Sequence, residues 1–498
     1  MKKHTIHLHP LGKKIQVNEQ TPLIDVLHEL GIEFPCGGKG TCGKCRVRLL
    51  DGEITISEAH QRKIDQLALS PEWRLACFSK CTGDITLEIE QFNTLILADE
   101  STFDYIPQKG FGIAVDIGTT TLVAQLIDLS SAKVVDVETM LNPQVKHGSD
   151  LISRIQACLD GKAAEMTLII RSAIGSMIEM MLKRQNRDLQ KVILVGNSAM
   201  RLIFCDYDVS PLAMYPFHTD NLGYTHFHPE QLGWKFSIKE NITWYPSIGS
   251  FVGSDILAGI VATGLHEKEH YTALIDLGTN GEIVIGNRER ILCTSTAAGP
   301  AFEGANISMG MRAVTGAISS FSLHEETIEA YVIGNTHPRG ICGSALIDAV
   351  AILSQLKLIG LFGEILSGDD HVNLIGDIIL TQKDIYEFQL AKAAIASGLE
   401  ILANNLSIPL SDIGQVYIAG GFGNYINLEN VSALGMIKLP TKRISKIGNT
   451  ALIGAKMFLF LDEKISNSIL QKTRHVNLEG DPNFQDIYVE NMSLWLNE

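Results

Sequence analysis

Three cysteines near the start of the chain have the spacing of a metal-binding loop. Cys36, Cys42 and Cys45 are separated by five and then two residues, and four glycines lie among them. A fourth cysteine, Cys77, follows in the sequence Arg-Leu-Ala-Cys. Iron–sulfur clusters are held by four cysteine thiolates, of which three can come from one loop and one from a distant segment. The four cysteines therefore predict a [2Fe–2S] electron-transfer site.

Other interpretations of this loop stay open. Its glycines fit a dinucleotide fingerprint and, less well, a phosphate-binding P-loop in which Cys45 replaces the magnesium-binding Ser or Thr. Both motifs need a buried strand before them and a helix after them, and residues 31–35 are a poor buried strand. Four cysteines also suit structural zinc, although zinc ligands usually come as two close pairs. Cys81 could replace Cys77, but the Arg-Leu-Ala-Cys context favours Cys77.

The composition excludes several classes of function. The chain has 498 residues, of which 45% are hydrophobic and 19% charged, and its net charge is −15. An acidic chain of this kind is not expected to bind nucleic acid, which requires clustered basic residues. We find no signal peptide at the N-terminus and no apolar run of membrane-spanning length. Nine cysteines without a secretion signal indicate thiols in a reducing compartment, so we expect a cytoplasmic protein without a membrane partner.

Residues 1–92 have the element order of a ferredoxin. Alternating residues predict strands at 5–9, 14–17, 45–50 and 84–90, and a helix over 21–30 stops at Gly31. A strand pair, a helix, a cysteine loop and further strands resemble an α+β β-grasp [2Fe–2S] ferredoxin domain, closest to the adrenodoxin-like version. A polar, turn-rich linker over 93–109 follows. We expect residues 36–45 to form an exposed tip that swings on this linker.

One signature occurs twice in the rest of the chain. A buried-strand pattern runs into Asp116-Ile-Gly-Thr-Thr, and about 160 residues later another runs into Asp276-Leu-Gly-Thr-Asn-Gly. Internal duplication of this kind indicates a repeated structural unit. Glycine lets the backbone of a tight turn approach phosphates, and an aspartate at the strand end can hold magnesium through water. The two turns predict a site for ATP and Mg²⁺.

Two further segments complete this pattern. Residues 416–423 are a strand that runs into the glycine pair Gly420 and Gly421, and residues 191–200 are a strand followed by a helix start. Together the four segments resemble the actin-like (ASKHA, ribonuclease H-like) ATPases, which include sugar kinases, acetate kinase and actin. We expect a two-lobed α/β ATPase domain over 110–498, with lobes at about 110–268 and 269–498 and ATP between them.

The combination of the two domains resembles a known family, the reductive activators of corrinoid proteins. The stretches that carry this resemblance are residues 142–144 with 148–155, 246–255, 297–305, 340–344 and 448–451. The resemblance covers essentially the whole chain. Some members have an extra middle domain, for which we expect almost no room here.

The family resemblance implies an activity. Corrinoid methyl-transfer proteins work through Co(I), and occasional oxidation leaves them inactive as Co(II). The activator is expected to return one electron from its [2Fe–2S] cluster, using ATP, to the corrinoid protein of a methyltransferase system. The resemblance also implies an external low-potential electron donor and a homodimer.

The resemblance assigns roles to particular residues. The predicted cluster ligands are Cys36, Cys42, Cys45 and Cys77. The residues expected to handle phosphates and magnesium are Asp116, Gly118, Thr119, Thr120, Asp276, Gly278, Thr279, Asn280 and Gly281. Gly420, Gly421 and Phe422 are expected against adenosine. Glu282 or Glu303 could orient the attacking water, and the sequence does not choose between them.

Several other residues are expected to have no functional role. His218, His226, His228 and Glu230 have metal-like spacing, but they lie in a polar segment and fit a surface loop. The isolated cysteines are expected to be small buried hydrophobic residues; they are Cys158, Cys205, Cys293 and Cys342.

Two alternative functions remain at this point. One is activation of another low-potential enzyme, as in the activators of 2-hydroxyacyl dehydratases, which hold a [4Fe–4S] cluster between subunits and lack a ferredoxin domain. The other is a nucleotide-gated redox sensor without ATP turnover. The type of cluster and the presence of ATP hydrolysis distinguish them.

Overall fold

A computed structural model describes most of the chain. The described residues are 2–9, 13–28, 45–67, 69–89, 103–148, 150–185, 188–215, 217–278, 280–303, 306–311, 316–333, 337–420, 423 and 426–494. Only the backbone is described for His9, Lys13, His28, Ile89, Leu141, Pro300 and Glu303.

The N-terminal domain is built on a mixed sheet. Its described strands are β1 (Lys3–His9), β2 (Lys13–Asn18), β3 (Arg46–Asp51), β4 (Trp73–Leu75) and β5 (Ile85–Ile89). They lie in the order β2-β1-β5-β3-β4, with β1 and β5 parallel and the other pairs antiparallel. The helices are α1 (Leu23–His28) and α2 (Glu58–Gln66). This arrangement confirms the predicted β-grasp fold.

Alternation of side chains explains this sheet. Ile6, Leu8 and Leu87 are fully buried, and the residues between them on each strand face outward. Successive side chains of a strand point to opposite faces, so one face is apolar and can pack against α1. Leu23 and Leu27 of α1 supply the other half of this core.

The first lobe contains six described strands. They are β6 (Phe111–Ile117), β7 (Thr121–Asp128), β8 (Lys133–Leu141), β9 (Leu189–Gly196), β10 (Thr225–Phe227) and β11 (Ile242–Trp244). Their order is β10-β11-β9-β6-β7-β8. The helices of this lobe are α3 (Leu151–Ala157), α4 (Ala163–Gln185), α5 (Ser198–Cys205) and α6 (Ser254–Ala262).

The second lobe repeats this sheet and carries additional strands. Its described strands are β12 (Thr272–Leu277), β13 (Gly281–Gly286), β14 (Ile291–Thr296), β15 (Ala317–His324), β16 (Thr327–Val332), β17 (Gly340–Ile341), β18 (His371–Ile375), β19 (Ile378–Thr381), β20 (Gln415–Ala419), β21 (Ile444–Gly448) and β22 (Thr473–His475). The main sheet has the order β21-β20-β12-β13-β14-β22. The helices are α7 (Gly343–Gln355), α8 (Gln382–Leu406), α9 (Leu428–Ala433), α10 (Thr450–Phe458), α11 (Glu463–Lys472) and α12 (Phe484–Glu490).

The two lobes share a topology of five strands, which agrees with the duplication seen in the sequence; β10 and β22 are additional strands at opposite edges of the two sheets. In the first lobe β6 pairs antiparallel with β7 and parallel with β9, and β9 pairs parallel with β11. In the second lobe β12 pairs in the same way with β13 and β20, and β20 with β21. Equivalent edges of the two sheets therefore carry the two Asp-x-Gly-Thr turns.

Helices α6 and α10 join the lobes by crossing at small residues. A Cβ added to Gly454 of α10 would lie 2.0 Å from the carbonyl oxygen of Ala258 in α6. A Cβ added to Gly259 would lie 2.7 Å from Leu274 and 3.1 Å from the hydroxyl of Thr450. Glycine at these positions lets the helix backbones approach each other closely, and the crossing forms a compact connection between the lobes.

The second half of the predicted linker packs on the ATPase part. Phe103 and Tyr105 form a cluster of aromatic rings with Phe460, with centroids 5.5 and 5.1 Å from the Phe460 ring. The backbone N–H of Gln108 donates to the carbonyl of Leu129. Residues 103–109 are thus held by this part of the chain, and residues 90–102 lie outside the described residues.

Among the described residues, no helix has both the length and the apolar character that crossing a membrane requires.

Candidate functional site

Two of the four predicted cluster cysteines lie together in the structure. The Sγ atoms of Cys45 and Cys77 are 3.2 Å apart, and both side chains are buried. A disulfide would need an S–S distance of about 2.05 Å, so the two thiols are close but not bonded. The N–H of Ala76 donates to the carbonyl of Cys45, which fixes the two segments against each other. Two such thiolates can bind one iron.

The other two predicted ligands, Cys36 and Cys42, lie outside the described residues, as does the rest of the loop up to Lys44. Cys45, at the end of the loop that we expected to be an exposed tip, is buried.

Cys81, the alternative to Cys77, makes hydrogen bonds to other parts of the domain. Its thiol donates to the carbonyl of Gly83 at 3.2 Å, and its backbone pairs with Gln20 and Thr21. Burial raises the pKa of the Cys81 thiol. These contacts hold the end of the domain to the segment before α1. That Cys77 and not Cys81 binds the cluster stays a prediction.

A buried histidine supports the turn that carries Cys77. The Nε2 atom of His60 accepts a hydrogen bond from the N–H of Leu75 at 2.9 Å, and its ring stacks on Phe78 at 5.3 Å. His60 is fully buried. Burial, together with the neighbouring Arg74 charge, lowers the pKa of His60 from 6.5 to about 4. The neutral ring is therefore part of the folded state.

Acid should destabilise this turn through His60. In unfolded chain the imidazole takes up a proton near pH 6.5, whereas in the folded domain it does so near pH 4. The stability contributed by neutral His60 is complete above pH 6.5 and is lost as pH falls toward 4, by up to about 3 kcal/mol. We expect hydrogen exchange at residues 73–78 to accelerate between pH 7 and 5, after correction for intrinsic exchange. His60→Gln, which keeps an acceptor but does not titrate, should abolish the extra acceleration, and an unchanged pH dependence would contradict this.

The first phosphate turn connects β6 to β7. The N–H of Gly118 donates to the carbonyl of Thr121, and a Cβ at Gly118 would lie 2.6 Å from that oxygen. Asn142 holds the turn from one side, since its side-chain NH₂ donates to Gly118 O and its N–H to Thr120 O. Asn197 donates to the hydroxyl of Thr119 at 2.9 Å. The turn is therefore fixed before any ligand binds.

The second phosphate turn connects β12 to β13. Asp276 lies directly opposite Glu282 in the strand pair, and the N–H of Gly278 donates to the carbonyl of Asn280. A Cβ at Gly281 would lie 2.2 Å from Ile395, so α8 packs against this turn too closely for a side chain. Thr279 lies outside the described residues.

Four acidic side chains cluster where the turns meet. The cluster consists of Asp116, Asp276, Glu282 and Asp255, and each of these residues is half-buried. Burial raises the pKa of Asp116 to about 6, and burial together with the neighbouring carboxylates raises the pKa of Asp276 and of Asp255 to about 7. The pKa of Glu282 is raised well above its ordinary value by burial and by Asp255 and Asp276, although its carboxylate accepts a 3.3 Å hydrogen bond from Ser295. So dense a negative cluster favours a cation.

This cluster does not form a closed metal cage. Among the described residues, no three Asp, Glu, His or Cys side chains converge closely enough to hold a metal directly. Magnesium binds readily through one or two carboxylates with several waters retained. The cluster therefore fits an ion that is shared with phosphate oxygens and water.

Two residues of this site were not among the predicted ones. Asp255 stands in the first turn of α6, and Asn449 caps α10 and donates to the Oδ2 atom of Asp116 at 2.8 Å. Residues 246–255 and 448–451 contain them and contribute to the family resemblance, but the sequence assigned no role to either residue. Both follow a glycine-containing loop at a helix start, which is the signal that could have identified them.

The glycine pair of the third motif borders the second turn. Gly420 has a φ of +87°, and a Cβ there would lie 2.5 Å from the carbonyl of Leu277 and 2.8 Å from the Oδ1 atom of Asp276. Its conformation and its surroundings both require glycine. Gly421 and Phe422 lie outside the described residues, and so does the side chain of Glu303.

A cavity of about 510 Å³ lies at the start of α9, where Asn427 caps the helix. It is lined by Ser320, Phe321, Ser322, Glu329, Ala330, Tyr331, Asp348 and Asn427. Asp348 is buried and accepts hydrogen bonds from the N–H of Phe321 and the side chain of Asn430. The size of the cavity and its mixed polar and aromatic lining suit a small ligand.

The residues that we expected to lack a functional role lie away from this site. His226 shares a hydrogen bond with Thr243, and with His228 it borders a second cavity of about 630 Å³ that contains none of the four clustered acids. His218 contacts Asp220 on the surface. The four isolated cysteines are buried, and burial raises their pKa.

Fold and site together define a ferredoxin domain joined to an actin-like, two-lobed ATPase. Comparison with protein families agrees with this class. Residues 6–82 match the 2Fe-2S iron-sulfur cluster binding domain, residues 111–268 the RACo middle region, and residues 270–498 the C-terminal domain of RACo, described as the ASKHA domain.

Similar proteins of known name extend over almost the whole chain. The corrinoid activation enzyme RamQ of Eubacterium limosum is 31% identical over 97% of both chains. A [Co(II) methylated amine-specific corrinoid protein] reductase of Methanosarcina barkeri is 26% identical over 77% of both. A solved structure of a reductive activator for corrinoid, iron-sulfur protein covers 99% of both chains, with a TM-score of 0.66 and 27% identity. The chain belongs to this family of corrinoid activation enzymes.

The match to the middle region bears on the domain boundaries. We expected almost no room for an extra middle domain between the linker and the ATPase part, and the family's middle region matches residues 111–268. These residues form the sheet of the first lobe, so the region is present as that lobe. The similarity of the two sheets led us to assign both to the ATPase domain.

Proposed function

We propose that this protein is an ATP-dependent reductive activator, which returns a Co(II) corrinoid protein to Co(I) by one-electron transfer. The observation that carries the proposal is the presence in one chain of a paired cysteine site and two phosphate turns. Membership of the corrinoid activation family supports it. The substrate is the corrinoid protein of a methyltransferase system, and an external low-potential donor supplies the electron.

The cysteine site fits an iron–sulfur cluster. Cys45 and Cys77 lie with their sulfurs 3.2 Å apart, and the match of residues 6–82 to the 2Fe-2S domain supports Cys36 and Cys42 as the remaining ligands. A bound cluster would supply a one-electron donor. The thiolates that hold it need a reducing compartment, so we propose a cytoplasmic location.

The ATP site lies between the lobes. In this proposal Gly118, Thr119 and Thr120 bind phosphates from one side, and Gly278 to Gly281 from the other. Asp116 and Asp276 hold Mg²⁺ through water. The Asn449–Asp116 hydrogen bond supports closure of the site, because it joins the start of α10 to the first turn.

Adenosine fits beside the third motif. We assign the ribose and base to the segment from Gly420 to Phe422, and we propose that the cavity lined by Asp348 contributes to this site. For the attacking water, Glu282 lies among the clustered acids, and burial together with Asp255 and Asp276 raises the pKa of its carboxyl well above the ordinary value. Glu303 remains the alternative.

ATP is required because the electron moves uphill. Each ~59 mV of unfavourable potential reduces a one-electron equilibrium tenfold. Co(I) corrinoids lie at very low potential, so coupling to another source of free energy is needed. Lobe closure about the α6–α10 crossing can change how the partner docks or how its cobalt is ligated. We further propose that the working form is a homodimer.

Proton release should accompany magnesium binding. At neutral pH, Asp116, Asp255 and Asp276 are partly protonated, with pKa values of about 6, 7 and 7. Mg²⁺ competes with those protons, so Mg·ATP affinity should fall as pH drops from 8 to 6, by about tenfold per unit for each proton displaced. Calorimetry in two buffers of different ionisation enthalpy counts the protons. Asp276→Asn should release fewer, and equal release in both proteins would contradict the assignment.

The function is tested by the response of ATP hydrolysis to the partner. A corrinoid protein in the Co(II) state should raise the rate of ATP hydrolysis, and the same protein in the Co(I) state should do so less. Equal rates with and without the Co(II) protein would reject the proposed function.

A further inference from the structure

Arg154 in α3 is buried, and none of the carboxylates in the described part of the chain forms an ion pair with it. Its side chain has no exposed surface. Its Nε atom donates to the carbonyl of Gly148 at 3.0 Å, and its Nη1 atom lies 3.3 Å from the Gln144 side-chain oxygen and 3.5 Å from the Met200 sulfur. Nη2 has no hydrogen-bond partner among the described residues. The nearby carboxylate of Asp150 is used to cap α3 through Ser153.

The charge at this position is kept at neutral pH. Burial lowers the pKa of Arg154 to about 10, and the Asp150 carboxylate opposes this shift. Replacing buried charged groups with apolar groups of similar volume is often neutral or stabilising. The stability of the lobe therefore does not account for a positive charge here.

A short chain of contacts links Arg154 to the first phosphate turn. The Met200 sulfur lies within 3.5 Å of Arg154 Nη1 and 3.7 Å of Asn142 Nδ2. Asn142 Nδ2 also donates to Gly118 O, and its Oδ1 accepts from the N–H of Gln144. Met200 thus lies between the Arg154 guanidinium and the Asn142 side-chain amide, which fixes the turn. Met200 itself stands in the first turn of α5, whose cap, Asn197, donates to Thr119.

We propose that Arg154 is a positioning residue for the nucleotide. Its buried positive charge lies behind the first turn and strengthens binding of the phosphates in proportion to their negative charge. This inference rests on the proposed function, in which Gly118 to Thr120 bind phosphate. Charge–charge interactions across protein interior are screened far less than those across water. A buried guanidinium can therefore act on phosphates that it does not touch.

Binding of a nucleotide series tests the proposal. Calorimetry would measure the affinity for adenosine, ADP and ATP in the wild type and in Arg154→Gln, Arg154→Lys and Arg171→Gln. Arg171, on α4, is a matched control because its half-buried guanidinium donates to the carbonyl of Phe204 and not toward the turn. Arg154→Gln should weaken ATP at least about tenfold and ADP less, and leave adenosine unchanged. Arg154→Lys should keep most of the affinity that each added phosphate contributes. Arg171→Gln should keep all of it.

The outcomes separate this inference from the proposed function. Equal loss for all three ligands in Arg154→Gln would show a merely structural role and overturn the inference. Loss of the phosphate-dependent gain in Arg154→Lys would also overturn it, and this variant decides the matter if the glutamine variant does not fold. A wild type that binds ATP no better than adenosine would instead overturn the proposed function together with the inference.

Discussion

Cys77→Ala should lose its iron and all cobalt-reducing activity while it still binds ATP. The Cys77 sulfur lies 3.2 Å from that of Cys45, and both side chains are buried. Removal of one thiolate leaves three of the four ligands that such a cluster needs. The ATP site contains none of the residues of the turn that carries Cys77, so nucleotide affinity should not change. Iron content, the visible absorption of the cluster and ATP calorimetry provide the measurements.

Cys81→Ala is the matched control for this experiment. Cys81 is equally buried and four residues further along, but its thiol donates to the carbonyl of Gly83. Its replacement should cost on the order of 1 kcal/mol of stability and leave the iron content intact. If Cys81→Ala lost its iron and Cys77→Ala kept it, the ligand assignment would be reversed.

Asp276→Asn should reduce ATP hydrolysis by about 10²–10³-fold, the size expected when one electrostatic contact to the reacting phosphate is lost. Asp276 ends β12, borders Gly420 and lies among three other acids. Asparagine keeps the shape of the side chain but removes the charge that we propose holds the cation. The cluster should remain loaded with iron, and electron transfer to the corrinoid protein should fall with hydrolysis. Steady-state hydrolysis under saturating Mg·ATP is the measurement.

Loss of folding would not explain such a result. Because the pKa of Asp276 is raised from 3.8 to about 7, its ionised form is unfavourable in the folded protein; this penalty grows as pH rises from 3.8 to about 7 and has its full size above pH 7. Asp276→Asn removes it, so the nucleotide-free variant should unfold at the same or a higher temperature at pH 8. Asp128→Asn, at the end of β7 and outside the acidic cluster, should hydrolyse ATP at the wild-type rate. Equal activity in both variants would exclude Asp276 from the site.

Much of the fold could be predicted because its signals are local. Alternation in residues 5–9 and 84–90 predicted the strands of the ferredoxin sheet. The repeated Asp-x-Gly-Thr pattern predicted that the two lobes share one topology. Both signals depend on side-chain period and on glycine requirements, which a single sequence displays directly.

The parts that were missed depend on contacts between distant segments. Asp255 and Asn449 reach the site because α6 and α10 cross at Gly259 and Gly454 and bring two helix starts to the phosphate turns. The packing of Phe103 and Tyr105 on Phe460 likewise joins residues more than 350 positions apart along the chain. No local pattern in the sequence records such pairs.

The middle region shows a different difficulty. Residues 111–268 share the order of five strands with the second lobe, so the repeat alone assigned them to the ATPase. Their match to the RACo middle region depends on sequence similarity to that family, which strand order does not reveal.

The central claim is that ATP hydrolysis drives an electron from this chain to cobalt. The most direct measurement is the amount of Co(I) formed by a corrinoid protein, followed anaerobically by its absorption, with the reduced wild type and either ATP or a non-hydrolysable analogue. Co(I) should accumulate with ATP and in proportion to the phosphate released, and neither Cys77→Ala nor Asp276→Asn should form it. The same yield of Co(I) without nucleotide, or with Asp276→Asn, would contradict the account.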